Sequence, residues 1–171
     1  MVIWNVNNDD NGDLPIEEVN GEYVAKRPLK RHEILKFARS LSIRKFQEYT
    51  LFNITCSKAF LREILPLCDC EIFYIILLDK ANRVIKVKEL FRGTIDKVSI
   101  YKREIVKEIL DNCAMAVLFA HNHFGNSQPS SDDIKITKEL NNFLHVINVR
   151  LIDHLIITGD DMVSMAELGL I

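Results

Sequence analysis

Long apolar runs are missing from this sequence of 171 residues. The run "IFYIILL" stops after seven residues at Asp79, far short of the roughly 20 residues that a membrane-spanning helix needs. The first residues, "MVIWNVNNDDNGD", have neither a basic start nor a continuous apolar stretch, so they do not look like a secretory signal. We therefore expect a cytoplasmic protein with no membrane partner.

The sequence also lacks a basic excess and a second pair of closely spaced cysteines. Its formal net charge of −2 argues against a generally basic nucleic-acid binder, although local patches remain open. Only Cys68 and Cys70 lie close together, so a zinc-finger pattern is excluded. Because free cysteine is commonly buried, we expect all four cysteines to be buried or half-buried reduced thiols, namely Cys56, Cys68, Cys70 and Cys113.

Charge is unevenly distributed over the first fifty residues. Residues 1–22 carry six carboxylates and no lysine or arginine, whereas the block from Lys26 to Lys45 holds eight basic residues and one glutamate. This basic block could bind a polyanion. The interpretation we favour is a solvated helix, with the acidic segment as its local counter-charge. The apolar residues expected to form its buried stripe are Ile34, Leu35, Phe37, Ala38 and Leu41.

From residue 54 onward, helical and extended patterns alternate along the chain. Apolar runs and alternations predict strands over 71–79, 83–91, 114–120 and 151–158. The first two strands should form a hairpin. Helices are predicted from the cap at Ser57 to near Pro66, from near Ser99 to 112, and over 130–147. Strands that alternate with helices predict an α/β layer fold with a mixed sheet.

Two histidines directly follow one of the predicted buried strands. His121 and His123 are two residues apart, and such residues point to the same side of an extended chain. Two imidazoles at one strand end can both reach a single ion at about 2.0 to 2.1 Å. A catalytic zinc needs a third protein ligand and an open position for water. Asp133, at the start of the next predicted helix, is the leading candidate for the third ligand.

The same segment has a second, purely structural interpretation. Ser130 and Asp133 have the S-x-x-D/E spacing of a capping box, in which the two side chains satisfy backbone groups at a helix start. Two histidines at a strand end would nevertheless be an unusual use of polar residues without a metal. The chemistry of the residues alone leaves both interpretations open.

The stretch "HNHFGNSQPSSDD", residues 121–133, resembles the RadC branch of the JAB/MPN (JAMM) metalloprotease superfamily. The similarity includes the upstream "EIFYIILLDKANRVIKVKELFRGT" and the downstream "LIDHLIIT" and "SMAELGLI", and it covers roughly residues 54–171. The resemblance implies a three-layer α/β domain of JAB/MPN (cytidine-deaminase-like) type, with a mixed sheet flanked by helices. Residues 1–53 would then be a short N-terminal extension, partly disordered and then basic and helical.

The resemblance also implies a role for each matching residue. One zinc ion per chain would be held by His121, His123 and Asp133. Ser130 would steady the attacking water or the developing oxyanion, and Glu71, which matches the family's upstream glutamate, would be the general acid and base. His154 would support a ligand from behind or line a substrate groove, or else be an ordinary hydrogen-bonded histidine on a buried strand.

The motif departs from the usual family pattern by one residue. Six residues, not seven, separate the second histidine from Ser130. Taking Ser131 as the serine restores seven but places Ile134 at the aspartate position, and isoleucine cannot ligate zinc. We therefore infer a one-residue deletion in the loop and assign Ser130 and Asp133, with Asp132 as the fallback ligand.

Three functions compete on these observations. The first is a zinc-dependent, metallopeptidase-like hydrolase of amide or isopeptide bonds, which acts on a protein or peptide substrate. The second is a DNA-repair-associated module that binds nucleic acid through Lys26 to Lys45; we do not favour it, because no glycine-centred hairpin motif occurs in the first fifty residues. The third is a catalytically silent JAB/MPN scaffold. A full set of candidate ligands favours the hydrolase. The two remaining histidines, His32 and His145, are expected at the surface.

Overall fold

The computed structural model describes residues 14–47, 51, 54–65, 70–93, 102–125, 127–159 and 161–171. Within these ranges the chain forms four helices and seven strands. The helices are α1 (Arg31–Gln47), α2 (Ile54–Ile64), α3 (Lys102–Asp111) and α4 (Ser131–Val146). The strands are β1 (Ile16–Val19), β2 (Glu22–Ala25), β3 (Ile72–Leu78), β4 (Val84–Arg92), β5 (Ala116–Asn122), β6 (Arg150–Thr158) and β7 (Asp161–Ser164).

Five strands form a mixed central sheet in the order β4-β3-β5-β6-β7. β5 runs parallel to β6, and the other neighbouring pairs are antiparallel. β3 is buried along its whole length, and β5 is buried up to His121. A strand that is covered on both faces has no polar alternation, which explains the continuous apolar runs in the sequence.

Helices cover both faces of the sheet. On one face α2 packs through its buried residues Phe60, Leu61 and Ile64. On the opposite face α3 and α4 pack through Ile105, Ile109, Leu140 and Leu144. Successive residues of β3 and β5 point alternately into these two apolar clusters. The predicted three-layer α/β architecture with a mixed sheet is confirmed.

The predicted hairpin is formed by β3 and β4. The carboxylate of Asp79 closes its turn, because Oδ1 accepts hydrogen bonds from the backbone N–H groups of Ala81 (2.8 Å) and Arg83 (2.9 Å). An aspartate that binds backbone groups two residues onward is a common turn device.

The ends of several elements differ from the prediction. Helix α2 begins at Ile54, and Ser57, the predicted cap, is buried inside the helix. Packing of the first turn against the sheet therefore overrides the capping preference of serine. The predicted helix start near Ser99 lies outside the described residues. The short strand β7 was not predicted.

Residues 16–25 form a β-hairpin that the sequence did not predict. β1 and β2 pair in register from Ile16 with Ala25 to Val19 with Glu22. Their residues are mostly exposed, so they show no alternation of buried and exposed positions that would indicate strands. The sequence predicts that the N-terminal extension is partly disordered before its basic helix. Of that segment, residues 1–13 lie outside the described residues, and residues 16–25 form the hairpin.

Helix α1 forms where a basic helix was predicted, but its apolar stripe was predicted only in part. Phe37 and Leu41 are half-buried, as the prediction requires. Three other expected positions are exposed, namely Ile34, Leu35 and Ala38. Phe37 packs edge-on against Tyr23 of the hairpin at a centroid distance of 5.0 Å.

The described cysteines are free thiols, and one of them contradicts the expected burial. Cys56 and Cys70 are half-buried, as expected, but Cys113 is exposed. Cys113 adopts a left-handed conformation (φ 51°) in the turn that ends α3, so its side chain points away from the core. Cys68 lies outside the described residues.

The two histidines expected at the surface are there. His32 and His145 are both exposed, so neither contributes to a buried polar cluster. Among the described residues, no helix combines the length and the apolar character needed to cross a membrane.

A half-buried ion-pair cluster connects the edge strand β4 to helix α3. The carboxylate of Glu108, whose side chain is 10% exposed, pairs with Lys86 (3.1 Å) and with Lys88. Burial alone would raise the pKa of Glu108, but the hydrogen bonds and charges of the two lysines outweigh burial and lower its pKa. The ionised carboxylate therefore stabilises the folded state.

We predict that Glu108→Gln lowers the free energy of unfolding by about 1 to 2 kcal/mol at pH 7, since it leaves two lysines without their buried partner. Folding lowers the pKa of Glu108. Its contribution to the free energy of unfolding is therefore complete above the usual glutamate pKa and is lost as the pH falls from that value through the lower pKa of the folded state. Urea unfolding at pH 7 and at pH 3.5 measures both effects.

The control for this prediction is Glu104→Gln, which neutralises an exposed glutamate on the same helix. We expect Glu104→Gln to change the free energy of unfolding by less than about 0.5 kcal/mol. Equal effects of the two variants at pH 7 would contradict the assignment of stability to the Glu108 cluster.

Candidate metal centre

The two histidines of the H-x-H motif converge at the end of the central strand. His121 is the penultimate residue of β5, where it pairs with Phe73 of β3 on one side and Ile156 of β6 on the other. His123 lies just beyond β5, but its backbone N–H still donates to the carbonyl of Ile157 at 2.8 Å. The Nε2 atoms of the two imidazoles are 2.8 Å apart. The expectation that both rings point to the same side is confirmed.

The first turn of α4 brings the carboxylate of Asp133 to these imidazoles. Asp133 is only 1% exposed, and its Oδ1 and Oδ2 lie 3.3 Å from Nε2 of His121 and of His123 respectively. The same carboxylate accepts hydrogen bonds from the backbone N–H (2.8 Å) and hydroxyl (2.6 Å) of Ser130, which caps the helix. The carboxylate of the capping box is therefore also a member of the candidate metal-binding group.

The separations of these three groups fit a metal ion. Tetrahedral coordination at about 2.0 to 2.1 Å places neighbouring ligand atoms about 3.3 Å apart. The observed separations are 2.8, 3.3 and 3.3 Å. The group formed by His121, His123 and Asp133 could thus hold a metal ion. Asp132, the fallback ligand, is exposed and lies outside this group.

The electrostatics of the centre keep a negative charge in a buried position. Burial alone would raise the pKa of Asp133, but the contact with His121 and the hydrogen bonds from Ser130 outweigh it and lower the pKa below its usual value. The ionised carboxylate at the bottom of the centre favours a cation between it and the imidazoles. This is the charge arrangement that a metal ligand requires.

His154, on the neighbouring strand β6, lies directly behind His121. Its Nε2 is 2.8 Å from Nδ1 of His121, and its Nδ1 is 2.6 Å from the hydroxyl oxygen of Thr137 on α4. The ring of His154 is completely buried. Burial lowers the pKa of His154 well below its usual value, so the ring is neutral.

Glu71 lies at the start of β3, beside the same end of β5. Asn122, which separates the two histidines, holds this segment: its Oδ1 accepts from the N–H of Ile72 (2.8 Å), and its Nδ2 donates to the carbonyl of Cys70 (2.9 Å). The register of the two strands has Phe73 opposite His121, and Glu71 precedes Phe73 by two residues as His123 follows His121 by two. If the strand alternation continued to Glu71, its side chain would lie on the same face as the two imidazoles.

The loop after the second histidine is anchored away from the centre. The hydroxyl of Ser127 donates to Oδ2 of Asp161 at the start of β7 (2.5 Å). Phe124, directly after His123, is 59% exposed. Six residues separate His123 from Ser130, and with this loop length Asp133 still lies 3.3 Å from both imidazoles.

Two residues of this arrangement were not found from the sequence. Asn122 gives no signal in the sequence, because a side chain that pairs with the neighbouring backbone leaves no mark on a pattern of burial. Thr137 follows Asp133 by four residues, so helical spacing does place it on the ligand's side of α4. The spacing alone does not indicate a role for Thr137, because its partner His154 comes from the distant strand β6.

The family comparison identifies what this chain is similar to. Residues 53–170 match the family model described as RadC-like JAB domain. A UPF0758 protein from Vibrio cholerae is 41% identical over 150 residues, which cover 86% of this chain and 95% of that protein.

Other relatives are longer than this chain. A UPF0758 protein from Cellvibrio japonicus is 46% identical over 100 residues, covering 58% of this chain and 45% of that protein. A UPF0758 protein from Saccharophagus degradans is 42% identical over 132 residues, covering 77% of this chain and 59% of that protein. The matched part thus spans nearly the whole Vibrio cholerae relative but only about half of these two.

We predict that the full chain, purified without chelators or a histidine tag, contains about one divalent metal ion per molecule. His121→Ala and Asp133→Ala should each reduce the bound metal to less than about a tenth of that, because each removes one of three protein ligands. Plasma mass spectrometry of the dialysed proteins measures the metal content directly.

The matched control is Asp132→Ala, which removes an exposed carboxylate from the same helical turn. It should retain the wild-type metal content. Loss of metal with Asp132→Ala but not with Asp133→Ala would show that the shortened loop presents the other aspartate.

Proposed function

The chain belongs to the RadC-like JAB domain family, and on this basis we propose that it is a zinc-dependent hydrolase of amide or isopeptide bonds. Within the described residues, the mixed five-stranded sheet with helices on both faces agrees with a JAB/MPN-type domain. The observation that carries the proposal is the convergence of two imidazoles and one buried carboxylate at the end of β5. The substrate class we propose is a protein or peptide.

The ligands of the proposed site have a donor set suited to zinc. His121 and His123 would contribute Nε2, and Asp133 a carboxylate oxygen, which is a three-ligand set typical of catalytic rather than structural zinc sites. Bound zinc supplies a Lewis acid that lowers the pKa of water toward about 7. His123 is half-buried whereas His121 is fully buried, so the centre opens to solvent on the His123 side.

Glu71 is proposed to accept the proton of the attacking water and to deliver it to the leaving amine. Two observations support this role. The register that ends with Phe73 opposite His121 is consistent with Glu71 lying near His123, and the two hydrogen bonds of the Asn122 side chain hold the backbone at Cys70 and Ile72, on both sides of Glu71. A general base needs such a fixed position, because proton transfer depends on hydrogen-bond distances to the reacting water.

Ser130 is proposed to steady the water or the carbonyl oxygen of the substrate. It is exposed, and its hydroxyl donates to Oδ2 of Asp133 at 2.6 Å, so it lies at the rim of the centre. Rotation of this hydroxyl toward a bound substrate would turn the helix cap into a hydrogen-bond donor for developing negative charge.

The nucleic-acid alternative receives less support from the described residues. Lys26 pairs with Glu17 at 3.0 Å, and Arg27 pairs with Glu33 at 2.7 Å. Two residues of the basic block thus already have carboxylate partners in the N-terminal segment, which weakens a polyanion-binding face. The silent scaffold remains the alternative if the centre binds no metal.

We predict that Glu71→Gln lowers the cleavage rate of the zinc-loaded chain by about 10²- to 10⁴-fold, because the amide cannot accept the proton. The zinc content should be unchanged. The measurement is mass-spectrometric detection of products from a peptide library that includes lysine isopeptide linkages.

Glu139→Gln is the control, because Glu139 is an exposed residue of α4 that pairs with Lys102. It should cleave at the wild-type rate. A zinc-loaded wild-type chain that cleaves no member of the library, or a Glu71→Gln variant as active as wild type, would overturn the proposed mechanism.

A further inference from the structure

A chain of buried hydrogen bonds runs from helix α4 to the side of His121 that faces away from the metal centre. The hydroxyl oxygen of Thr137 is 2.6 Å from the carbonyl oxygen of Asp133 and 2.6 Å from Nδ1 of His154. Nε2 of His154 is 2.8 Å from Nδ1 of His121. The residues Thr137, His154 and His121 are 0% exposed, so water cannot replace any of these partners.

The chemistry of the groups fixes the direction of this chain. A carbonyl oxygen can only accept, so Thr137 must donate its single hydroxyl proton to Asp133. The oxygen of Thr137 must then accept from Nδ1–H of His154. The ring of His154 is fully buried between a hydroxyl and an imidazole, an environment that favours the form with one proton, so Nε2 of His154 is left as an acceptor. Nδ1 of His121 is therefore the donor in the last contact.

We propose that Thr137 is a positioning residue that acts through His154 to keep Nδ1 of His121 protonated, which reserves Nε2 of His121 for the metal. The inference rests on the proposed function only in treating the convergent group as a zinc site. The direction of the chain follows from the hydrogen bonds and from the burial of His154.

The alternative direction would work against ligation. If Nε2 of His154 carried the proton, Nδ1 of His121 would become the acceptor, and the proton of a neutral His121 would sit on Nε2. A protonated nitrogen cannot bind a metal. The carbonyl of Asp133 excludes this direction. It takes the only hydroxyl proton of Thr137, so the Thr137 oxygen must accept a proton from Nδ1 of His154.

One turn of α4 thereby controls two ligands. The side chain of Asp133 faces the imidazoles, while its carbonyl receives Thr137 four residues later. The sulfur of Met165, 3.6 Å from the hydroxyl of Thr137, is a weak acceptor that does not compete with a carbonyl for the proton. Met165 is fully buried, and its backbone N–H donates to the carbonyl of His154 (3.0 Å), so it closes the chain against water.

The test compares wild type, Thr137→Val, Thr137→Ser and Leu140→Val as full chains. Valine keeps the shape of threonine but removes the hydroxyl, whereas serine keeps the hydroxyl. Leu140 is a buried apolar residue farther along α4 and controls for loss of packing. Two quantities are measured: the protonated ring nitrogen of His154 by ¹⁵N–¹H NMR of the metal-free proteins near pH 8, and the zinc dissociation constant by competition with a chromophoric chelator.

We expect His154 of the wild type to be protonated at Nδ1. Thr137→Val should shift the proton to Nε2 and raise the zinc dissociation constant by about 10- to 100-fold, the usual effect of removing a residue that orients a ligand. Thr137→Ser should restore both quantities. Leu140→Val should lower the melting temperature without changing either quantity. If Thr137 had only a structural role, Thr137→Val would behave in the same way.

Wild-type His154 protonated at Nε2 would overturn the inference, and so would a Thr137→Val variant with the wild-type tautomer and zinc affinity. The tautomer in the metal-free wild type is measurable even if no variant folds. If the wild type binds no zinc, the proposed function fails, while the NMR measurement still decides the direction of the chain.

Discussion

The carboxylate of Asp133 joins helix α4 to the end of the central strand, and the arrangement of the centre depends on this contact. Its oxygens accept the hydroxyl and the N–H of Ser130 and also face both imidazoles. An ionised carboxylate that is 1% exposed is costly unless its lone pairs are satisfied and a positive charge lies nearby. The helix cap supplies the hydrogen bonds, and a cation held by His121 and His123 would supply the charge.

The buried position of β5 gives this contact its precision. β5 has hydrogen-bonded neighbours on both sides, and apolar clusters lie on both faces of the sheet. Its end therefore cannot shift without breaking pairing to β3 and β6. Both neighbouring strands also contribute side-chain contacts. Asn122 holds the backbone around Glu71 at the start of β3, and His154 of β6 contacts His121 from behind. A site built on strand ends and a helix start, rather than on loops, keeps its ligands in place before the metal binds.

The main strands and the three ligand candidates could be predicted, because their signals are local. Continuous apolar runs predict β3 and β5, and the spacing of His121 and His123 follows from strand geometry. The buried side of α1 could be predicted only in part, because Phe37 packs against a hairpin whose strands show no alternation. The choice between cap and ligand for Asp133 was open for a different reason. Only the assembled fold brings the capping carboxylate within 3.3 Å of both imidazoles.

The most direct test of the central claim is an anomalous diffraction measurement above and below the zinc absorption edge on crystals of the full chain grown with zinc. The account predicts one zinc peak at about 2.0 to 2.1 Å from Nε2 of His121, Nε2 of His123 and a carboxylate oxygen of Asp133. A zinc peak bound by other residues, such as Asp132, or no peak between the two imidazoles would contradict it.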